Sequence, residues 1–200
     1  MKPMAGREKQ FDQGVALNNA LNIFWAKGFE ATSMQELVDA MGVNRASMYQ
    51  TYGNKSELFN AAIDQYISHS LDYIKDMLEA SGSPLANLKQ LFIQLVEQSL
   101  ATNMSGCFIG NTAAELGPHD SVVAAKVRYF WEQFEALFST ALQRAIEHGE
   151  LPRKANTQKL AALINSTLQG LIIKTKANID KDKLRDDIDL LFSLINFRFE

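Results

Sequence analysis

Two hundred residues, of which 46% are hydrophobic, suffice for one or two domains with a sizeable core. The single cysteine excludes an internal disulfide framework, and because no apolar run approaches the roughly 20 residues of a membrane span, we expect a cytoplasmic protein. The net charge of −3 and the lack of a basic patch mean that any interaction with nucleic acid must depend on geometry, not on overall charge.

The spacing of apolar residues along the chain is helical throughout, and no segment has the alternation of a β-strand. We therefore predict an all-α fold of about nine helices. In chain order, their approximate extents are Lys9–Lys27, Met34–Met41, a short helix after Asn44 that ends near Tyr52, Lys55–Ala80, Leu85–Ala101, a short helix between Ser105 and Gly117, Ser121–His148, Asn156–Asn178 and Lys183–Phe197.

Candidate capping residues precede the second, third and fourth helices. In the segment ATSMQEL, both Thr32 with Gln35 and Ser33 with Glu36 have the spacing of a capping box. An asparagine precedes each of the next two helices. The free N–H groups at these starts, near Thr32 or Ser33 and near Lys55, are suited to binding phosphate.

The third helix is too short to be stable by itself in water, so neighbouring helices must hold it. Met48 and Tyr52 lie one turn apart and would face the first two helices. The side left near solvent carries mostly hydrogen-bonding groups: Arg45, Ala46, Ser47, Tyr49, Gln50 and Thr51. Two helices joined by a glycine-containing turn match the helix-turn-helix, whose second helix enters the major groove of DNA. From spacing alone, an ordinary helical loop with a solvated face fits equally well.

Cys107 is expected about two residues inside the N-terminus of the sixth helix, where the helix dipole favours a thiolate. No cationic residue lies near it in sequence, and cysteines are often buried, so packing is an equal alternative. An enzyme would need His119 or Glu115 as the partner of this thiol, but Glu115 lies about two turns further along the same helix. Because the sequence has no phosphate-binding loop, no paired carboxylates and no metal-ligand spacing, we expect no catalytic site, metal or other cofactor.

The last two helices each carry a second apolar or small-residue face, whereas a surface helix of a monomer needs only one apolar face. We therefore expect both helices to contact a second copy of the chain. The residues expected at this contact are Ala162, Ser166 and Gly170 in the eighth helix and Leu191 and Ile195 in the ninth. Another side of the ninth helix carries Leu190, Leu194 and Phe197.

The segment FWAKGFEATSMQELVDAMGVNRASMYQTYGNKSELF resembles the N-terminal module of the TetR family of bacterial transcriptional repressors. The shared features are the KGFEATS entry, the MGV turn, the pair Ser47 and Tyr49, and the GNKSEL start of the fourth helix. The resemblance implies a helix-turn-helix DNA-binding domain over residues 1–54 and an effector-binding and dimerisation domain over residues 55–200. It also implies a homodimer with two DNA-binding heads.

By position, the resemblance assigns base contacts to Arg45, Ala46, Ser47, Gln50 and Thr51, and phosphate contacts to Thr32, Ser33, Tyr49 and Lys55. The family often has an aromatic residue where Thr51 stands, so its base preference does not transfer to this chain.

The segment SGCFIGNTAAELGPHD resembles a subgroup of the family with Gly-Cys at the start of the sixth helix, in which some members sense electrophiles or oxidants. The expected effector pocket or sensing site comprises Cys107, Phe108, Phe130 and Phe134. Together these features imply a DNA-binding transcriptional regulator, expected to act as a repressor. It would bind a near-palindromic double-stranded operator as a dimer and be released by a small-molecule effector or by modification of Cys107.

Overall fold

In the computed structural model, the described residues are 11–101, 106–177 and 179–196. They form nine α-helices and no strand, which confirms the predicted all-α fold. The helices are α1 (Gln13–Lys27), α2 (Met34–Met41), α3 (Arg45–Tyr52), α4 (Lys55–Glu79), α5 (Pro84–Ala101), α6 (Phe108–Leu116), α7 (Ser121–Glu147), α8 (Thr157–Thr175) and α9 (Lys181–Asn196).

The predicted position of Cys107 inside α6 is wrong. Gly106 has a φ of 89°, and Cys107 is extended and occupies the N-cap position, so the helix begins only at Phe108. The cysteine therefore precedes the helix. Four predicted helix limits lie outside the described residues: the start at Lys9, the cap Ser105 and the ends Asn178 and Phe197.

The chain packs as two compact units, Met1–Ala62 and Ile63–Glu200, and the division between them falls inside α4. In the first unit, the rings of Phe24 and Phe59 meet edge to face at 4.8 Å. The buried side chains that surround them come from four helices: Ala20, Leu21, Leu37, Val38, Met41, Met48 and Leu58. This shared core holds the short helices α2 and α3 in place.

The second unit has a core rich in phenylalanine. The rings of Phe134 and Phe138 on α7 lie 4.5 Å apart, and Phe92 on α5 lies 6.0 Å from Phe138. Phe192 on α9 meets Phe92 edge to face at 5.4 Å. Burying such rings removes a large apolar area from water, so this cluster anchors α5, α7 and α9 to one another.

Among the helices of the described residues, none is long and apolar enough to cross a membrane.

Candidate nucleic-acid interface

The helix α3 is fixed by a cap at each end and by its buried side. The Asn44 side chain accepts a hydrogen bond from the Ser47 amide at 2.8 Å, and Gly53 ends the helix with a φ of 76°. Met48 has no exposed surface, and the Tyr52 hydroxyl donates to the carbonyl of Gln13 at 2.7 Å. The helix α3 can therefore be only two turns long, because α1, α2 and α4 hold it in place.

The other side of α3 faces solvent, as the spacing predicts. Arg45, Ala46, Gln50 and Thr51 are exposed, Tyr49 is 42% exposed and Ser47 is half-buried. The guanidinium carbon of Arg45 lies 5.8 Å from the centre of the Tyr49 ring, a cation–π arrangement that steadies a long side chain in solvent. All of these side chains except Ala46 offer donors or acceptors of the kind that read base edges, and the Ala46 methyl is suited to an apolar contact with a base.

The start of α2 is closed by a complete capping box. The Ser33 hydroxyl accepts from the Glu36 amide at 3.2 Å, and the Ser33 amide donates to the Glu36 carboxylate at 2.9 Å. Lys27 pairs with the same carboxylate. The hydrogen bonds from Lys27 and Ser33 lower the pKa of Glu36 from its ordinary value of 4.5 to about 2. The carboxylate is therefore charged at any physiological pH, and the cap persists.

The position of Thr32 does not fit the predicted contact with phosphate. Its side chain is 1% exposed, its hydroxyl donates to the Gly28 carbonyl at 2.6 Å, and its amide donates to the Phe29 carbonyl at 3.2 Å. Both donors of Thr32 are thus used inside the protein. Ser33, by contrast, is exposed and can approach an external phosphate.

Lys55 begins α4 and packs on an aromatic ring. Its Nζ lies 4.5 Å from the centre of the Phe29 ring and 3.5 Å from the Glu30 carbonyl oxygen. Asn54 and Glu57 cap this helix reciprocally, at 2.8 and 3.0 Å. The lysine charge is therefore held beside a helix start, where backbone N–H groups also favour an anion.

Three helix starts retain amide donors for such an anion. Within the part of the chain that the structure describes, no acceptor is found for the first two amides of α2, α3 and α4: those of Met34, Gln35, Arg45, Ala46, Lys55 and Ser56. The first N–H groups of any helix lack partners inside the helix. Phosphate oxygens are well suited to them.

The four residues expected at the effector site lie in one region of the second unit. Phe108, Phe130 and Phe134 are each no more than 2% exposed, and the rings of Phe130 and Phe134 stack at 5.6 Å. The Tyr66 ring lies 5.3 Å from Phe108 and 6.0 Å from Phe130, and its hydroxyl lies 3.8 Å from Sγ of Cys107. Tyr66 therefore connects the thiol to the aromatic cluster.

The turn that carries Cys107 is fastened by buried hydroxyls. The Gly106 amide donates to Oγ of Ser99 at 3.2 Å, and Ser99 shares a 2.6 Å hydrogen bond with Thr175. Burial raises the pKa of the half-buried Cys107 thiol, against the opposing effects of hydrogen bonds from Gly110 and Tyr66 and the charge of Lys176. The neutral thiol is thus favoured, although a cation lies within electrostatic reach.

Lys176 and Tyr66 are the residues of this region that sequence reasoning missed. Nζ of Lys176 donates to the Asn111 side chain at 2.6 Å, and its Cε would lie 2.7 Å from a Cβ at Gly106. Gly106 thus leaves room for the lysine beside the cysteine. No local signal indicates this neighbour, because Lys176 follows α8 and is distant from Cys107 in sequence.

The last two helices expose apolar side chains. Leu163 and Ile173 on α8 are 59% and 66% exposed, and Leu190 and Leu194 on α9 are 58% and 59% exposed. Of the residues predicted at the contact, Ser166 and Gly170 are exposed, whereas Ala162, Leu191 and Ile195 are half-buried.

No group of three or more His, Cys, Asp or Glu residues that could hold a metal ion occurs among residues 11–101, 106–177 and 179–196.

Two protein families match the chain. Residues 16–62 match the family described as "Bacterial regulatory proteins, tetR family", and residues 83–189 match "Tetracyclin repressor-like, C-terminal domain". The matched ranges include the helix-turn-helix and most of the second unit.

Curated relatives match the chain over most of its length. It is 32% identical over 193 residues to the uncharacterized HTH-type transcriptional regulator YezE of Bacillus subtilis (strain 168), covering 96% of this chain and 100% of that protein. It is 28% identical over 186 residues to the HTH-type transcriptional repressor ComR of Escherichia coli (strain K12), covering 92% of this chain and 89% of that protein.

A similar solved structure is a cysteine mutant of the TetR family transcriptional regulator CifR, complexed with a 26-base-pair double-strand operator DNA. The TM-score is 0.83 at 24% sequence identity, over 94% of this chain and 98% of that chain. At this level of identity, the likeness shows a shared fold.

Proposed function

We propose that this chain, which belongs to the TetR family of bacterial regulatory proteins and is a DNA-binding transcriptional regulator, acts as a cytoplasmic repressor. In this proposal it binds a near-palindromic operator as a homodimer. Its relatives are transcriptional regulators and not enzymes, so the thiol-enzyme alternative is excluded. The proposal concerns three parts of the molecule: the surface that reads DNA, the contact between protomers, and the site that releases DNA.

The observation that supports DNA reading most strongly is the two-sided character of α3. Met48 is fully buried, while the opposite side exposes hydrogen-bonding groups. We assign base contacts to Arg45, Ala46, Ser47, Gln50 and Thr51, and phosphate contacts to Ser33, Tyr49 and Lys55. A short helix docked by its neighbours places its N-terminal residues at base edges in the major groove.

The exposed apolar side chains of α8 and α9 support dimerisation. Leu163 and Ile173 flank the small residues Ser166 and Gly170 on the outer side of α8, and a Cβ at Gly170 would meet nothing within 4 Å. Paired with the same surface of a second copy, these helices would form an isologous four-helix contact. The two heads would then reach half-sites about 34–36 Å apart, or a multiple of that distance.

We assign release from DNA to a reversible small-molecule effector held among Phe108, Phe130 and Phe134. The fourth helix offers the physical connection. It has 25 residues and is about 38 Å long. It begins at Lys55, a proposed phosphate contact, and its later residue Tyr66 touches the aromatic cluster. A ligand that shifts this helix would change the spacing of the two heads. The ligand can lower the affinity for DNA by no more than the difference between its own binding free energies to the DNA-binding and the DNA-released conformations. Such coupling free energies are typically about 1–3 kcal/mol.

Modification of Cys107 is a second candidate for the release signal. The observations that favour it are the charge of Lys176 near the thiol and the Tyr66 hydroxyl at 3.8 Å. The raised pKa of the thiol disfavours it, because only the thiolate is a strong nucleophile.

The test is a gel shift with the DNA upstream of the chain's own gene, in the presence of excess random DNA. We expect a shifted complex with a mass corresponding to a protein dimer. A mild electrophile is then added to the wild-type complex and to the Cys107→Ser complex. Equal responses exclude Cys107 as the sensor and leave the reversible ligand as the proposed signal, whereas release of the wild type alone assigns release to Cys107. Absence of a complex with any fragment of that upstream DNA would contradict the proposed operator.

A further inference from the structure

A groove runs along the surface of the second unit between α4 and α7. Its volume is about 550 Å³, which lies in the roughly 300–1,000 Å³ range of small-molecule sites. Ile67 and Leu71 of α4 and Ala125 of α7 supply apolar lining, and the Tyr129 side chain, 52% exposed, forms part of the wall. The groove thus offers an apolar surface and an aromatic ring to solvent.

The charges that line the groove do not cancel. Asp64 of α4 and Lys126 of α7 form an ion pair across it, so these two charges compensate each other. Asp72 lies eight residues beyond Asp64, a little over two turns along α4, and is exposed. It takes part in none of the ion pairs found among the described residues. Lys75, the next cation along α4, is outside the lining. One carboxylate charge therefore remains.

This groove is separate from the aromatic cluster assigned to the effector. Phe130 and Phe134 point into the core and are 2% exposed, while Tyr129, the neighbour of Phe130, points outward. Successive residues of a helix lie about 100° apart around its axis, so the two sites use different sides of α7.

We propose that the groove is a binding site for a monovalent organic cation with an apolar body. The cationic centre is attracted by the Asp72 carboxylate and by the face of the Tyr129 ring, and the body covers Ile67, Leu71 and Ala125. A cation over a tyrosine ring gains energy from the ring quadrupole, and the apolar body gains from leaving water. An anion of the same shape would meet the uncompensated carboxylate. The site therefore selects by charge as well as by size.

The probe is the tetraphenylphosphonium cation, and tetraphenylborate is its anionic counterpart of nearly the same shape. Binding of each to the purified protein is measured by isothermal titration calorimetry. The variants are Asp72→Asn and Tyr129→Leu, and the matched control is Asp186→Asn, which removes an equal charge from the exposed surface of α9. Neither test variant touches the core or the residues assigned to DNA contact.

We expect the phosphonium to bind wild type and the Asp186→Asn control equally. Each of the two test variants should weaken it roughly two- to fivefold, as the loss of an exposed charge or of a cation–π contact predicts. Tetraphenylborate should bind more weakly than the phosphonium and should not be weakened by Asp72→Asn. Equal phosphonium affinity in all four proteins, or no binding of it to wild type, would overturn the proposal, whatever the outcome of the operator experiment.

Discussion

The lowered pKa of Glu36, a member of the capping box of α2, makes the stability of the protein depend on pH. The pKa of Glu36 falls from an ordinary 4.5 to about 2 in the folded chain because Lys27 and Ser33 hydrogen-bond to its carboxylate. Between these values the unfolded chain binds more protons, so stability increases with pH across this interval and is lost as pH falls through the folded pKa. We expect the free energy of unfolding of wild type to fall more steeply from pH 4.5 to about 2 than that of Glu36→Gln.

Urea denaturation at several pH values, followed by circular dichroism, measures this difference. The control is Glu57→Gln, which alters the equivalent capping residue of α4. Parallel pH profiles for wild type and Glu36→Gln would show that the Lys27 and Ser33 contacts do not act on Glu36 in solution.

Lys176 sets part of the acidity of Cys107. Its positive charge lowers the pKa of the thiol, although burial raises that pKa overall. Lys176→Met should therefore raise the pKa further and slow alkylation by iodoacetamide at a fixed alkaline pH, since the thiolate is the reacting species. Lys174→Met, which removes a lysine paired with Asp187, should react like wild type. Equal alkylation rates in the two variants would show that the charge of Lys176 does not affect the Cys107 thiol.

Residue roles are predictable where a local pattern decides them and not where two patterns compete. The sequence predicts that Arg45 and Gln50 face outward because the positions of Met48 and Tyr52 fix the phase of α3, and both are exposed in the structure. Thr32 and Ser33 each match a capping box, one residue apart. The structure distinguishes them, because Thr32 is buried with its hydroxyl bonded to the Gly28 carbonyl, and Ser33 is the residue that caps α2.

At the scale of elements, the glycine between α3 and α4 is constrained both by its backbone and by a neighbouring side chain. Gly53 has a φ of 76°, and a Cβ there would lie 2.0 Å from the Glu57 carboxylate that caps α4. Gly53→Ala should therefore both strain the backbone and displace the cap. At Gly42, which has a φ of 66°, an added Cβ would meet nothing within 4 Å, so alanine there would suffer backbone strain alone.

We expect Gly53→Ala to lower the free energy of unfolding by about 0.5–2 kcal/mol more than Gly42→Ala, the usual value of a helix cap. Urea titrations of both variants give this difference. Equal losses would mean that the Asn54–Glu57 cap adds nothing to stability.

Helix limits are predictable where the cap is a polar residue beside the helix. Asn44 caps α3, as expected from sequence, and Asn156, predicted as the first residue of the eighth helix, is the cap of α8. The start of α6 is not predictable in this way, because Ser105 resembles a cap, while the turn at Gly106 is set by its hydrogen bond to Ser99 of α5. This contact joins residues seven apart in the chain, outside the local capping pattern, and the helix begins only after Cys107.

For the whole molecule, the exposed leucines of α8 and α9 predict a dimer in solution. Leu163→Glu with Leu190→Glu should give a monomer, because burying two charges in the contact costs more than the lost apolar area alone. Val122→Glu places the same charge on another exposed apolar residue, 56% exposed on α7, and should leave the dimer intact. Sedimentation at micromolar concentration measures the mass. A monomeric wild type would contradict the proposed contact.

The outward side of α9 shows why such contacts are hard to predict from sequence. The sequence predicts that Leu191 and Ile195 meet the partner, but Leu190 and Leu194 are the more exposed pair. Neighbouring positions on a helix differ by about 100° in direction. The choice between them depends on Phe192, which packs edge to face on Phe92 and sets the rotation of α9.

The assignment of base reading to α3 is tested most directly by the affinity of the protein for its upstream operator and for random DNA, measured by fluorescence anisotropy at several salt concentrations. Arg45→Ala should lose about 1–3 kcal/mol of binding free energy on the operator and little on random DNA. Lys55→Ala should weaken both and reduce the salt slope by roughly one. Arg153→Ala, an exposed arginine of the second unit, should match wild type. Operator affinity equal to wild type in both Arg45→Ala and Lys55→Ala would contradict the assignment of DNA reading to α3 and the start of α4.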